Sequence, residues 1–260
     1  MSYIEKTVTD GVGVLSFNRP EAHNAMDDEA IDEIFRSLLW ARDEPDVRVV
    51  ILRGEGKSFH AGRDLRSMGV RPVGMTHYDF MKFGQRNITA LLDLGKPTVA
   101  AMKGGTLGGG AEMALACDIR VTSTDLRFAL PEVKFGLAVD QGGSALASSL
   151  IGPSKTKWLL MTGDAVDAPT AIDWGLADFI AEPEELDAKV LQMATRIAAN
   201  PPRAVLAAKE LVDELWADGV RAAIRREFTH QLALFGSEEY ARLRADRAAS
   251  AKAKAAQSPG

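Results

Sequence analysis

The segment Gly104-Gly105-Thr106-Leu107-Gly108-Gly109-Gly110 constrains this chain more than any other. It follows Thr98-Val99-Ala100-Ala101-Met102, short, apolar and with two β-branched residues, which reads as a buried strand. It precedes Ala111-Glu112-Met113-Ala114-Leu115-Ala116, a run of helix formers. A strand-to-helix junction of this kind lets the backbone approach a ligand closely, because glycine has no Cβ. The starting helix adds its positive end, so the junction favours negative charge and can stabilise an oxyanion. Tight packing of helix on strand is the other reading of the same glycines. Two nucleotide loops are excluded by spacing: there is no Gly-x-Gly-x-x-Gly, and no Lys-Ser or Lys-Thr follows the glycines.

Around that junction the chain reads as β-rich first and helical last. Residues 1–55 suggest strand, strand, helix, strand. Asp27 and Asp28 open a helix with Ile31, Ile34, Phe35, Leu38 and Leu39 at helical spacing, Pro45 stops it, and Val47–Leu52 is a buried strand. A glycine-rich polar loop, 54–65, comes directly after that strand, where α/β folds place ligands. Residues 66–76 read as a mobile connector. A helix is expected from His77 to Leu92, and strands over Thr98–Met102 and Asp118–Thr122. From Asp140 onward the chain reads as almost wholly helical, ending in an Ala/Lys-rich tail from Ala248 that is expected to fray. The 260 residues suit one large domain, or one domain with an appendage.

Three acids stand out against apolar or glycine-rich surroundings. Glu112 lies in the first turn after the glycines, where a carboxylate complements the helix dipole. Its neighbours are apolar or small on every side, so a buried carboxylate is expected, and burial is costly without a partner or a task. Glu132 follows Pro131 inside another apolar run. Asp140 sits in Val139-Asp140-Gln141-Gly142-Gly143, just before a helix, where an aspartate commonly serves as N-cap. Together the three suggest carboxylate acid–base work.

Other chemistries have less support. His23, His60, His77 and His230 show no His-Glu-x-x-His spacing, and Cys117 is the single cysteine, so no metal site and no disulfide framework is expected. Gly142-Gly143-Ser144-Ala145-Leu146 lacks the last glycine of a nucleophile elbow. The net charge of −5 gives no support to a nucleic-acid partner. No apolar run is long enough for a membrane span, and the charged start carries no signal-like core. A cytoplasmic protein is expected. His60 could touch a ligand from its loop, the other reading being a packed or solvated loop histidine.

These segments, in their order, resemble the enoyl-CoA hydratase/isomerase (crotonase) superfamily. The likeness rests on Leu15-Ser16-Phe17-Asn18-Arg19-Pro20-Glu21-Ala22-His23-Asn24-Ala25-Met26, on Phe59-His60-Ala61-Gly62-Arg63-Asp64-Leu65, and on Gly108-Gly109-Gly110-Ala111-Glu112 with Ala116-Cys117-Asp118-Ile119-Arg120. Pro131-Glu132 through Gly136-Leu137, Leu160-Met161-Thr162-Gly163 and Ala171-Ile172-Asp173-Trp174-Gly175-Leu176 extend it over essentially the whole chain. The resemblance implies an α/β fold, a spiral of ββα units over residues 1–200. A helical region over 201–260 would mediate a homotrimer, or a hexamer built from two trimers.

It also implies an acyl-CoA thioester substrate and no cofactor beyond that CoA. The backbone N–H groups of Arg63 and Gly109 would form the oxyanion hole, with Ala22, His60, Ala61, Asp64, Leu65 and Gly108 along the acyl-CoA. Glu112 and Glu132 take the positions of the two hydratase glutamates, which favours syn hydration of a trans-2-enoyl-CoA. Asp140 departs from the hydratase turn and resembles the dienoyl-CoA isomerase branch, in which it would shuttle a proton with Glu132. A non-catalytic acyl-CoA-binding member is a further alternative.

Overall fold

The computed structural model describes residues 2–67 and 74–257, so most of the expected connector at 66–76 lies outside the described residues. Strands β1 (Ile4–Thr9), β2 (Val12–Phe17), β3 (Val49–Gly54), β4 (Thr98–Met102), β6 (Ile119–Ser123) and β9 (Phe179–Ala181) form one sheet in that order. Only the β1–β2 hairpin is antiparallel. A second sheet joins β5 (Gly105–Leu107), β7 (Arg127–Ala129) and β8 (Val166–Asp167) in the order β5-β7-β8.

The pleat explains why β3 and β4 read as continuous apolar runs. Val50, Leu52, Ala100 and Met102 face one core, with Ile31, Ile34 and Leu38 of α1 (Asp28–Asp43) and Ile88 and Leu91 of α2 (His77–Leu92). Val49, Ile51, Val99 and Ala101 face the other, under Leu186, Val190 and Ala194 of α6 (Leu186–Ala198). Both faces of a parallel sheet are buried, so over residues 49–52 and 99–102 alternation brings no polar residue to the surface. Asp27 caps α1 by accepting the Ala30 N–H, and α2 starts and ends where its spacing placed it.

The second half departs from the helical expectation at two points. After α3 (Gly109–Ala116), α4 (Gly143–Thr162) and α5 (Ala168–Trp174), strand β9 adds an edge to the main sheet, and β8 joins the small one. Strands of two or three residues carry no periodic signal; β9 is held in register by Arg120, whose backbone and guanidinium both bond Asp178. The tail does not begin to fray at Ala248: α9 (Glu238–Gln257) continues through it, as expected of alanine and lysine with high helix propensity.

Between them, α7 (Pro202–Asp213) lies on the surface with no buried residue. By contrast α8 (Ala217–Phe235) buries Val220, Ala223, Ile224, Glu227 and Gln231 against α4 and α2. Among the described residues no helix is long and apolar enough to cross a membrane.

Candidate active site

Two loops meet over the start of α3. The first is fixed by Asn24, whose Oδ1 accepts the Arg19 N–H at 2.8 Å and whose Nδ2 donates to the Ser58 carbonyl at 2.8 Å. The Met26 N–H donates to the Gly62 carbonyl and the Asp64 N–H to the Met26 carbonyl, which threads residues 61–64 alongside the Arg19–Met26 turn. Gly62 has φ +80°, and a Cβ there would stand 2.7 Å from the Leu107 carbonyl oxygen and 3.3 Å from the Gly109 nitrogen. Only glycine permits that approach. It leaves the N–H groups of Arg63 and Gly109 on neighbouring strands of backbone, neither of them donating to an acceptor among the described residues. Gly109 opens α3, so its N–H is one of the helix's unpaired donors.

The second loop brings the acids. A Cβ on Gly108 would lie 2.9 Å from Glu132 Oε1, so that carboxyl reaches the glycine run directly. Glu112 is fully buried; its Oε1 accepts the N–H groups of Gln141 and Gly143 at 2.9 Å each, and its Oε2 has no partner among the described residues. Asp140 is half-buried, and its carbonyl accepts a hydrogen bond from Gln85 Nε2 at 2.5 Å.

Burial drives all three carboxyls toward the protonated form, and their own charges add to it. Glu112 is pushed well above the usual range by burial, then by Asp140, Glu132 and Glu227. Glu132 rises to about 8, mainly by burial and then by Asp140 and Glu227. Asp140 rises to about 7 through burial and Glu227, moderated by the guanidinium of Arg63.

Asp140 is not an N-cap. Helix α4 starts at Gly143 with Gly142 as its cap residue in the left-handed region. Carboxylates remote in sequence satisfy the N–H groups there. Glu227 of α8 accepts those of Gly142 (2.6 Å) and Ser144 (2.9 Å), and Glu112 accepts that of Gly143. The Asp140 side chain is thereby released from capping and lines a cavity of about 780 Å³.

The same cavity is lined by Glu132, Arg63, Gly108 and Gly109, and along its other side by Ala22, Ala61, Asp64 and Leu65. Two expected residues stand apart from it. Glu112 is set behind the Gln141–Gly143 backbone. His60 is fully buried, with its ring 4.7 Å from that of Phe17 and its Nδ1 accepting the Gly62 N–H. The His60 N–H and carbonyl are already paired with Gly105 and Leu107. Burial lowers the imidazole to about 3, so it is neutral and shapes the loop rather than facing the cavity.

Asp64 is held at about 2, chiefly by its bond to Arg66, with Arg19 3.1 Å away. Among the described residues no group of His, Cys, Asp and Glu side chains is disposed to hold a metal ion.

Sequence reasoning missed the contribution of α8, which supplies Glu227 to the loop and Gln231 and Phe235 to the cavity wall. The signal existed. Glu227 and Gln231 occupy the buried stripe set by Val220 and Ile224, where an amphipathic helix normally carries apolar residues.

A two-sheet α/β spiral with paired backbone donors at a glycine-run helix start, facing clustered carboxyls of raised pKa, defines a scaffold for handling developing oxyanions by acid–base chemistry. The enoyl-CoA hydratase/isomerase family model matches residues 7–242. The chain is 34% identical over 226 residues to the crotonyl-CoA hydratase of Syntrophomonas wolfei subsp. wolfei, covering 86% of this chain and 85% of that one. It is 35% identical to the short-chain-enoyl-CoA hydratase of Clostridium acetobutylicum, covering 78% and 77%. The crystal structure of an enoyl-CoA hydratase/isomerase from Xanthobacter autotrophicus Py2 superposes with a TM-score of 0.86 at 30% identity, covering 100% of this chain and 99% of that chain. The chain belongs to the enoyl-CoA hydratase/isomerase family.

Proposed function

We propose that this protein is an enoyl-CoA hydratase that adds water across the double bond of a trans-2-enoyl-CoA, giving a 3-hydroxyacyl-CoA. The observation that carries this reading is the approach of the Glu132 carboxyl to the glycine run that opens α3. The thioester oxygen accepts the N–H groups of Arg63 and Gly109 and gains charge as the enolate forms. Glu112 acts as the carboxylate while its neighbour Glu132 holds the proton, since a neutral Glu132 no longer opposes ionisation of Glu112. Hydroxide from water bonds to Cβ as its proton passes to Glu112 Oε2, and the proton on Glu132 passes to Cα as the enolate collapses. A carboxyl with a pKa of about 8 keeps its proton at neutral pH, as that last step requires. The acyl-CoA lies along Ala22, Ala61, Asp64, Leu65 and Gly108, and no cofactor beyond the substrate's own CoA takes part.

One observation favours a second reading. Glu132 and Asp140 both line the cavity while Glu112 does not, so the two could pass a proton along a dienoyl chain without adding water. Parallel assays with a trans-2-enoyl-CoA and a 3,5-dienoyl-CoA decide between them. Loss of the conjugated enoyl absorbance alone supports hydration, turnover of the dienoyl ester alone supports isomerisation, and inactivity on both refutes either.

The reading extends to a cytoplasmic homotrimer or hexamer assembled through residues 201–260. Its support is the exposure of Leu211, Val212 and Leu215, adjoining apolar side chains in and just after α7. Light scattering on the purified protein tests it; a monomer at micromolar concentration would count against it.

A further inference from the structure

Helix α2 presents one face to the cavity, through the adjacent Phe80 and Met81 and then Gly84 and Asn87 at steps of three residues. The face is apolar until its last turn. Asn87 stands six residues beyond Met81, ~9 Å further along the helix. Its side chain is 1% exposed, and its Oδ1 has no hydrogen-bond partner among the described residues. The other buried carboxamide of α2 has its NH2 group employed in the fold: Gln85 Nε2 donates to the carbonyls of Asp140 and Ile224. Asn87 makes no such bond among the described residues.

A buried amide without a partner is unfavourable, and Asn87 is one of the residues that line the cavity. A saturated hydrocarbon chain lying against it would leave it unpaired. A hydroxyl or carbonyl on the chain would pair with it, and a hydroxyl does so in either orientation of the amide, being both donor and acceptor. Gln231 reinforces the polarity of the cavity: its Oε1 accepts the Ala138 N–H at 2.9 Å, which leaves its NH2 group for another acceptor.

We infer that the cavity is built for an acyl thioester whose acyl chain carries an oxygen substituent, and that Asn87 is the specificity-determining residue that holds this oxygen. The inference rests on the acyl-CoA reading of the site and narrows it to a substrate class. It requires no change in the chemistry at Cα and Cβ.

The test is binding rather than turnover, so that it does not depend on which reaction the carboxyls perform. Affinities of the full-length protein are measured by calorimetry for pairs of saturated acyl-CoA thioesters of equal length. One member of each pair is unsubstituted and the other bears a hydroxyl or keto group, its position varied along the chain. In at least one pair the oxygenated ester is expected to bind ~10-fold or more tightly, as for a site built around a hydrogen bond. Asn87→Leu should abolish that preference, and Asn87→Ser serves the same purpose should the leucine variant not fold. Equal or tighter binding of the unsubstituted ester in every pair overturns the proposal, as does an unchanged preference in a folded variant. Failure of both members of every pair to bind would refute the acyl-CoA reading itself. Binding of both without discrimination would refute only the role of Asn87.

Discussion

The carboxylate of Glu227 accepts the Gly142 N–H at 2.6 Å, so a residue of the C-terminal helix α8 fixes the loop that carries Asp140. The same carboxylate takes the Ser144 N–H and hydroxyl, and its charge helps raise the pKa of Glu112, Glu132 and Asp140. Glu227→Ala would strip the start of α4 of that acceptor, at a cost of ~1–3 kcal/mol for buried donors left unpaired. Urea denaturation should show the loss, together with reduced turnover as the loop relaxes; unchanged values of both would mean that the loop holds itself.

Glu132→Gln keeps the shape of the side chain and removes its proton chemistry. Turnover of an enoyl-CoA should fall by ~100–10,000-fold, the usual contribution of a positioned acid or base. Affinity for a saturated acyl-CoA should change little. Wild-type turnover in this variant would remove Glu132 from the mechanism.

The two glycines at the paired donors should respond differently to alanine. At Gly62 the new Cβ meets the Leu107 carbonyl oxygen at 2.7 Å with φ at +80°, so backbone must move and the Arg63 N–H moves with it. Loss of an oxyanion donor costs ~100–1000-fold in rate, and Gly62→Ala should approach that. At Gly109 the nearest atom is the Nε2 of Gln141 at 2.8 Å, the end of a flexible side chain that can swing away. Gly109→Ala should therefore be the milder of the two in a steady-state comparison.

Stability should fall as pH rises. Glu132 and Asp140 have ordinary values of 4.5 and 3.8 and are raised to about 8 and about 7 in the folded chain. The native state thus binds protons that the unfolded chain has released, and its advantage is complete below the unfolded values and lost through the folded ones. A melting temperature that declines between about pH 4 and pH 8 is expected, with the upper part of the decline flattened in Glu132→Gln. A rise over that range in the wild type would contradict the burial of these carboxyls.

Asp140→Asn separates the two proposed reactions. Hydration through Glu112 and Glu132 should tolerate it within a small factor, whereas proton transfer along a dienoyl chain should be lost. Assaying both substrates with the one variant reads out the branch.

Much of this architecture was legible in the chain. Strand β4 and helix α2 fall on the residues expected, because one carries an unbroken apolar run and the other a full amphipathic period between a threonine cap and Gly95-Lys96-Pro97. The burial of Glu112 was legible too, since every neighbour on its helix is apolar or small. The edge strand β9 was not, because three residues hold no period and its place depends on the Arg120–Asp178 pair. Packing was one local reading of His60, and the structure bears it out; what local reading could not supply is its partner, the ring of Phe17, which takes it away from the cavity.

The sequence by itself determined that a glycine-rich strand-to-helix junction would face a small set of acids, because backbone freedom, helix propensity and apolar context are properties of neighbouring residues. Which acid does what was decided by tertiary structure. Asp140 reads locally as a cap, and it is free to line the cavity only because Glu227, 85 residues beyond Gly142, takes up the N–H groups at the start of α4. Hydrogen bonds and raised pKa values depend on distances between side chains that only the packing of α8 against α4 and α2 brings together.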